Sequence, residues 1–352
     1  MVLADMHLKP GESWEYCPRE ALRRVSKVLK DEFNLVMNAG FENEFFLLKS
    51  ILREGKEEWT PFDSAPYCST SAFDAAAPIF REIVAALQYL NIEVEQIHAE
   101  AGKGQFEMAL GYTTCTNAAD NLVYAREVVR AVARKHGFLA TFMPKFCGGR
   151  GMVGGIYTHM VVCQCVSVVG GRCCAVRDRE LIGLGSCNTG DATPPNYGLH
   201  VICLPRYALD DIGSGSHVHL SLWENGKNVF MASGGQSVHG MSKVGEEFMA
   251  GVLEHLPSIL AFTAPVPNSY DRIQPNTWSG AYQCWGKENR EAPLRTACPP
   301  GAPDGIVSNF EIKSFDGCAN PHLGLASVIA AGIDGLRRHL SLPESIGNII
   351  SS

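Results

Sequence analysis

Along Gly213-Ser-Gly-Ser-His-Val-His-Leu-Ser-Leu-Trp223 two glycines loosen the backbone, and polar and apolar residues then alternate from His217 to Leu222. A period of two predicts a half-buried strand, with His217, His219 and Ser221 on one face and Val218, Leu220 and Leu222 on the other. Leu35–Leu48 predicts a second strand, with Glu42 and Glu44 on a shared face among Phe41, Phe45 and Phe46. Val94–Leu110 predicts a hairpin turning at Ala101-Gly-Lys-Gly104, which places Glu100 and Glu107 roughly opposite each other. Asn309-Phe-Glu-Ile-Lys313 predicts a strand with Glu311 and Lys313 on one face, and Phe138–Met143 a further short one.

Helical spacing fills the intervals between these strands. Pro18 suits a first helical turn, and Leu22, Val25, Val28 and Leu29 form an apolar stripe that runs to about Phe33. Ile79, Ile83, Leu87 and Leu90 predict a helix over 76–90. A third is predicted over Ala118–His136, with Asn117 as N-cap and Gly137 as its stop. Lys243–Phe262 and Gly324–Leu340 predict two more, and Asn268–Arg272 leads into a loop carrying Trp278. Residues 146–206 show neither period; they hold few charges and many Gly and Val.

Bulk properties narrow the field. The 352 residues suffice for one large or two ordinary domains. A net charge of -7 without a Lys/Arg cluster argues against a nucleic-acid surface. No apolar run is long enough to cross a bilayer, so no membrane partner is expected. The N-terminal residues lack a secretory pattern, so a reducing cytoplasm is expected. Of the thirteen cysteines, seven lie between residues 146 and 206, without the paired Cys-x-x-Cys spacing of a zinc module.

Two carboxylates side by side on a strand repel unless a cation lies between them. Glu42, Glu44, Glu100, Glu107 and Glu311, joined by His217, form an oxygen-rich set that suits Mg²⁺ or Mn²⁺. Arg272, Arg290 and Arg295 lie nearby in sequence. Divalent cations with arginines suit phosphoryl transfer, where charge develops on the moving group. No phosphate loop of the Gly-x-x-x-x-Gly-Lys-Ser/Thr kind and no kinase signature is present. The alternative is an acidic strand face that is merely solvated.

These residues stand in a recognisable order. Gly40-Phe-Glu-Asn-Glu-Phe-Phe46, Glu100 with Gly104-Gln-Phe-Glu107, Ala131–Gly137 with Ala140–Lys145, Gly213–Ser221, Asn268–Arg272, Asn289–Arg295 and Asn320-Pro-His-Leu323 follow one another. Together they resemble the catalytic domain of glutamine synthetases, most closely the plant nodulin-type proteins of that family. The resemblance implies an α+β fold in which a curved, mostly antiparallel sheet is backed by helices. It implies two Mg²⁺ or Mn²⁺ ions per site and ATP as co-substrate. Glu44, Glu100 and Glu107 would hold one ion; Glu42, His217 and Glu311 would hold the other. Arg290 and Arg295 would stabilise the transferred phosphoryl group and Arg272 the carboxylate substrate, with Gly213 and Lys313 at the substrate. His219, Ser221 and Glu95 would line the nucleotide pocket. The implied reaction activates a carboxylate, glutamate in the family, as an acyl phosphate for attack by ammonia or an amine. A homo-oligomeric ring is implied as well.

Three departures qualify the resemblance. Ile212 stands where the family usually has Asn, Trp278 where a flap glutamate helps deprotonate ammonium, and Lys313 where an arginine fork is usual. The resemblance further leads to the expectation that this chain begins after the family's small N-terminal β-grasp domain, which is then absent. Excising 146–206 joins Thr141–Lys145 to Tyr207–Asp211 as the family reads, and the junction codons can carry intron ends. A retained intron is therefore expected there, with a Cys-rich metal-binding insert as the rival. A catalytically impaired regulatory or scaffold protein is the alternative to the ligase.

Overall fold

A computed structural model of the chain describes residues 2–145, 212–232, 239–298 and 306–347. They belong to one compact unit. The expected insertion at 146–206 lies outside the described residues. In chain order the elements are β1 (His7–Lys9), β2 (Glu12–Ser13), α1 (Pro18–Phe33), β3 (Val36–Arg53), β4 (Lys56–Pro61), α2 (Thr70–Tyr89), β5 (Val94–Ala99) and β6 (Gln105–Leu110). Then come β7 (Thr113–Thr114), α3 (Cys115–Lys135), β8 (Phe138–Thr141), β9 (Ser216–Glu224), β10 (Lys227–Asn228), α4 (Lys243–Glu254) and α5 (Leu256–Thr263). The last are α6 (Pro267–Arg272), β11 (Trp285–Lys287), β12 (Leu294–Ala297), β13 (Asn309–Ile312) and α7 (Pro321–Arg338).

Apart from the β1–β2 hairpin, the strands form one sheet in the order β11-β12-β13-β9-β3-β6-β5. Only the β11–β12 pair is parallel among the described strands. This is the expected α+β fold with a mostly antiparallel sheet and helical backing. β3 is the spine: it pairs with β9 at its start, with β6 at its middle and with β4 and β8 at its far end. Its sequence explains that role. Met37, Ala39, Phe41 and Phe45 go into the core at every second position, and Phe46, Leu47 and Leu48 are buried on both sides where strands flank it.

Helices cover the apolar face. Phe45 packs on Phe106 and Phe142, Phe41 on Phe315, and Phe310 on Phe230 and Phe248. These aromatic contacts join β3 to β6 and β13 to α4, with Phe142, Phe315 and Phe230 contributed by segments just after β8, β13 and β10. α4 and α7 approach closely because glycines face each other: a Cβ on Gly335 would lie 2.1 Å from Glu247 O, and one on Gly251 would lie 2.2 Å from Ala331 O.

Several boundaries differ from expectation. α2 begins at Thr70, capped by the Ser69 hydroxyl, and carries Pro78 internally. α3 begins at Cys115, so Asn117 is a first-turn residue rather than the cap. The helix expected over Lys243–Phe262 is two helices meeting at His255, because Pro257 has no N–H to continue the ladder. Asn268–Arg272, for which no element was expected, lies in the short helix α6. The hairpin register also differs: Glu107 pairs with His98, while the Glu100 N–H bonds Gln105 O at 2.8 Å. The turn closes one pair earlier than a direct Glu100–Glu107 facing requires. No described helix is long and apolar enough to cross a membrane.

Candidate active site

Register gathers the acidic residues. Across β3 and β9, Glu42 pairs with His217 and Gly40 with His219; across β9 and β13, His219 pairs with Glu311; across β13 and β12, Glu311 pairs with Arg295. Across β3 and β6, Glu44 pairs with Glu107. Residues paired across strands share a face, and so do residues two apart. One face of five adjacent strands therefore carries Glu107, Glu44, Glu42, His217, His219, Glu311 and Arg295.

Two groups of donor atoms result, each within 4.8 Å of one another: Glu42, His219 and Glu311, and His98, Glu100 and Glu107. His217 lies among the first group and Glu44, with its Nδ1 3.2 Å from Glu311 Oε1, 3.6 Å from Glu42 Oε2 and 3.9 Å from Glu44 Oε1. His219 Nε2 is 3.1 Å from Glu42 Oε1 and its Nδ1 is 2.8 Å from Asn309 Oδ1. His98 Nε2 is 2.9 Å from Glu100 Oε1. Glu44 Oε2 accepts from Gln105 Nε2 at 3.0 Å and from the Gly215 N–H at 2.9 Å, which orients it from beneath. Both donor groups thus contain an imidazole the sequence reading did not assign to metal: His219 was placed at the nucleotide, and His98 was missed. The signal for His98 was its place two residues before Glu100, on the same strand face.

The electrostatics suit cations. Burial pushes the Glu107 carboxyl up, and repulsion from Glu42, Glu44, Glu100 and Glu311 adds to it, to about 9. Glu42 is driven the other way: burial raises it, but hydrogen bonds to His217 and His219 outweigh that and hold it far below the usual carboxylate range. Glu311 has no exposed side-chain surface; against its burial, Lys313 above all and then His217 keep it low. Lys313 Nζ donates to Glu311 Oε1 at 2.8 Å, and Arg295 Nε lies 2.7 Å from Glu311 Oε2. So many carboxylates with imidazoles between them match the oxygen-rich sets that hold Mg²⁺ or Mn²⁺. The residues present fit the expected pair of ions.

Other expected residues fall unevenly around this face. Arg272 is buried, and its Nη2 donates to His217 Nε2 at 2.8 Å and to Lys313 O at 3.0 Å. Gly213 O accepts from Gln105 Nε2 at 3.0 Å, and a Cβ on Gly213 would lie 2.5 Å from Pro144 O. Ser221 Oγ accepts from Trp223 Nε1 at 2.8 Å, and the Trp223 ring stacks on Tyr112 with centroids 6.0 Å apart. That stacked pair, beside His219 and Ser221, is a second feature the sequence reading missed. Glu95 is exposed on β5, three strands from β9, so the sheet does not bring it to His219 and Ser221. Arg290 is exposed in the loop before β12, its guanidinium 5.4 Å from the centre of the Trp278 ring.

The profile of the glutamine synthetase catalytic domain matches residues 15–164 and 192–351. The chain belongs to the glutamine synthetase family. A type-1 glutamine synthetase of Dictyostelium discoideum is 30% identical over 346 residues, covering 96% of this chain and 57% of that protein. A γ-glutamylpolyamine synthetase of Streptomyces coelicolor is 31% identical over 342 residues, 97% of this chain and 59% of that protein. Among solved structures, a glutamine synthase homolog has a TM-score of 0.69 at 29% identity, covering 97% of this chain and 65% of that one. A GmaS/ADP complex has a TM-score of 0.68 at 25% identity, covering 97% and 64%. The chain thus spans about three-fifths of the length of these glutamine synthetase-family relatives.

Proposed function

We propose that the chain carries the catalytic face of an ATP-dependent ligase that joins a carboxylate to ammonia or an amine. The observation that carries this reading is the pair of donor groups on one sheet face, with Arg295 against Glu311 and Arg290 in the adjoining loop. His98, Glu100, Glu107 and Glu44 would hold one divalent ion; Glu42, His217, His219 and Glu311 would hold the other. Bound there, the ions neutralise phosphate charge and polarise the transferred group.

The chain's own residues then act as follows. Arg290 and Arg295 bind the equatorial oxygens as the substrate carboxylate attacks the γ-phosphorus and the bond to ADP breaks. The amine nitrogen next attacks the acyl-phosphate carbon. A C–N bond forms, the C–O bond breaks, phosphate leaves with the electron pair, and the surplus amine proton passes to water. The Tyr112–Trp223 stack and Ser221 receive the nucleotide end. A similar γ-glutamylpolyamine synthetase and similar glutamine synthetases bracket the acceptors to be tested.

The test is phosphate release from Mg-ATP with glutamate, ammonium and a panel of amines. Release that requires both a carboxylate and an acceptor supports the ligase. ATP binding without any release points to an impaired, regulatory member of the family. We propose further that 146–206 is a translated intron interrupting the catalytic domain, which sequencing the transcript across Lys145 and Tyr207 decides.

A further inference from the structure

Gln105 is the first residue of β6, two positions before Glu107, and it is 1% exposed. Its Nε2 meets three oxygens: Glu44 Oε2 at 3.0 Å, Gly213 O at 3.0 Å and Ser214 Oγ at 3.1 Å. Its Oε1 accepts from the Gly102 N–H at 2.9 Å. These neighbours fix the orientation of the amide. A flipped amide would turn Oε1 onto a carboxylate and a carbonyl, and Nε2 onto an N–H. Only glycine fits at 102, since a Cβ there would lie 2.5 Å from Gln105 Oε1.

The same carboxylate oxygen is held from a second side. The Gly215 N–H donates to Glu44 Oε2 at 2.9 Å, and the Glu44 N–H donates to Gly215 O at 3.1 Å. Oε2 is thus committed to two donors. Oε1 is left toward the acidic face, 3.9 Å from His217 Nδ1. The last torsion of a glutamate is soft, so the donors around it decide which oxygen faces a cation. One buried amide therefore joins three parts of the chain: the turn at Gly102, Glu44 on β3, and the Gly213–Gly215 segment that leads into β9. That segment packs on the site as well, for a Cβ on Gly213 would lie 2.8 Å from Arg272 Cγ.

We propose that Gln105 is a positioning residue that couples cation binding at His98, Glu100, Glu107 and Glu44 to the order of the Gly213–Gly215 segment. The inference rests on the two-ion reading of the ligase site. A cation that takes Glu44 Oε1 stops the carboxylate from turning. Oε2 then stays against the Gly215 N–H and the Gln105 amide, and the amide's other hydrogen stays on Gly213 O. Linkage is reciprocal, so an ordered segment in turn presents Glu44 Oε1 to the cation at lower cost.

The experiment uses the full chain. Mn²⁺ binding is followed by electron paramagnetic resonance, and backbone hydrogen exchange over Gly213–Leu222 by mass spectrometry with and without Mg²⁺. In the wild type, Mg²⁺ should slow exchange there by about fivefold or more. Gln105→Met fills the space without donating. It should weaken one Mn²⁺ site by about 10- to 100-fold, leave the other within about threefold, and abolish the effect of Mg²⁺ on exchange. A merely structural role would lower both sites together. Two sites that Gln105→Met leaves unchanged, or weakens equally, overturn the inference, as does wild-type exchange that Mg²⁺ does not alter. That last comparison needs no variant and decides the matter even where Gln105→Met does not fold. A wild type that binds no Mn²⁺ overturns the two-ion reading and this inference with it, whereas two sites indifferent to Gln105 count against Gln105 alone.

Discussion

Arg272 Nη2 donates to His217 Nε2 at 2.8 Å, beneath the acidic face rather than out of it. A guanidinium has only donors, so Nε2 accepts and the imidazole proton resides on Nδ1, facing Glu311 and Glu42. The resemblance led us to expect Arg272 at a carboxylate substrate; in this arrangement it is spent on His217 and on Lys313 O, with Nη1 buried and unpaired among the described residues. For Nδ1 to meet a cation its proton must move to Nε2, where it would confront the guanidinium. Arg272→Met should therefore act in two opposite directions. It should destabilise the metal-free fold by about 3 kcal/mol, because two buried hydrogen bonds are lost and Glu44, Asp316 and Glu311 lose a countercharge. It should also tighten Mn²⁺ binding by roughly five- to tenfold, because a nearby positive charge has gone. Urea denaturation and titration calorimetry separate the two.

Glu107 makes the metal-free protein sensitive to alkali. Its carboxyl is raised from 4.5 to about 9, by burial first and then by its acidic neighbours. Between those values the native state holds a proton that the unfolded chain has released. Stability therefore falls as pH rises through that window. The raised His98 and His219 add to the fall above their ordinary value. Glu42 and Asp120 are lowered instead, so their stabilisation is lost only at acid pH, below the window. Glu107→Gln has no proton to lose and should flatten the slope between pH 6 and 9. Mg²⁺ or Mn²⁺ should raise Tm more at pH 8 than at pH 6 in the wild type. Thermal scans over pH check both.

Much of this site is legible in the sequence. Period-two alternation put His217, His219 and Ser221 on one side of their strand and Glu42 and Glu44 on one side of theirs, and pairing of the two strands brings those sides together on one sheet face. Alternation is a local property, however, and pairing between strands is not. Glu100 and Glu107 were expected to face each other; the four-residue turn instead closes on Glu100 and Gln105 and leaves His98 opposite Glu107. Burial was equally hidden: nothing in Asn268–Arg272 says that the arginine lies under the sheet face. The place of Glu95 was hidden in the same way: β5 lies three strands from β9.

The close contact of α4 with α7 can be tested apart from the chemistry. A Cβ on Gly335 would come within 2.1 Å of Glu247 O and 2.7 Å of Gly251 N, both backbone atoms that cannot swing aside. Gly335→Ala should destabilise by about 3 kcal/mol as the helices are forced apart, despite the better helix propensity of alanine. Gly226→Ala is the contrast. Its φ is +76° with open space around it, so the cost there is backbone strain alone, about 1 kcal/mol. Equal losses in urea denaturation would contradict the packing argument.

The two donor groups should separate by mutation. Glu100 serves the group with His98 and Glu107, and Glu311 serves the group with Glu42 and His219. Glu100→Gln removes a charge from the first and leaves the second whole. Glu311→Gln does the reverse, and it also strips Lys313 and Arg295 of their shared partner. Titration of Mn²⁺ followed by electron paramagnetic resonance should show two sites in the wild type. Each variant should keep one site near its original affinity and lose about 10- to 100-fold at the other. The Glu311→Gln protein should in addition be less stable without metal, because two cations are left facing a neutral amide in a buried place. If both variants lose both sites together, the acidic face holds its cations as one cooperative cluster, and the assignment of residues to separate ions is wrong.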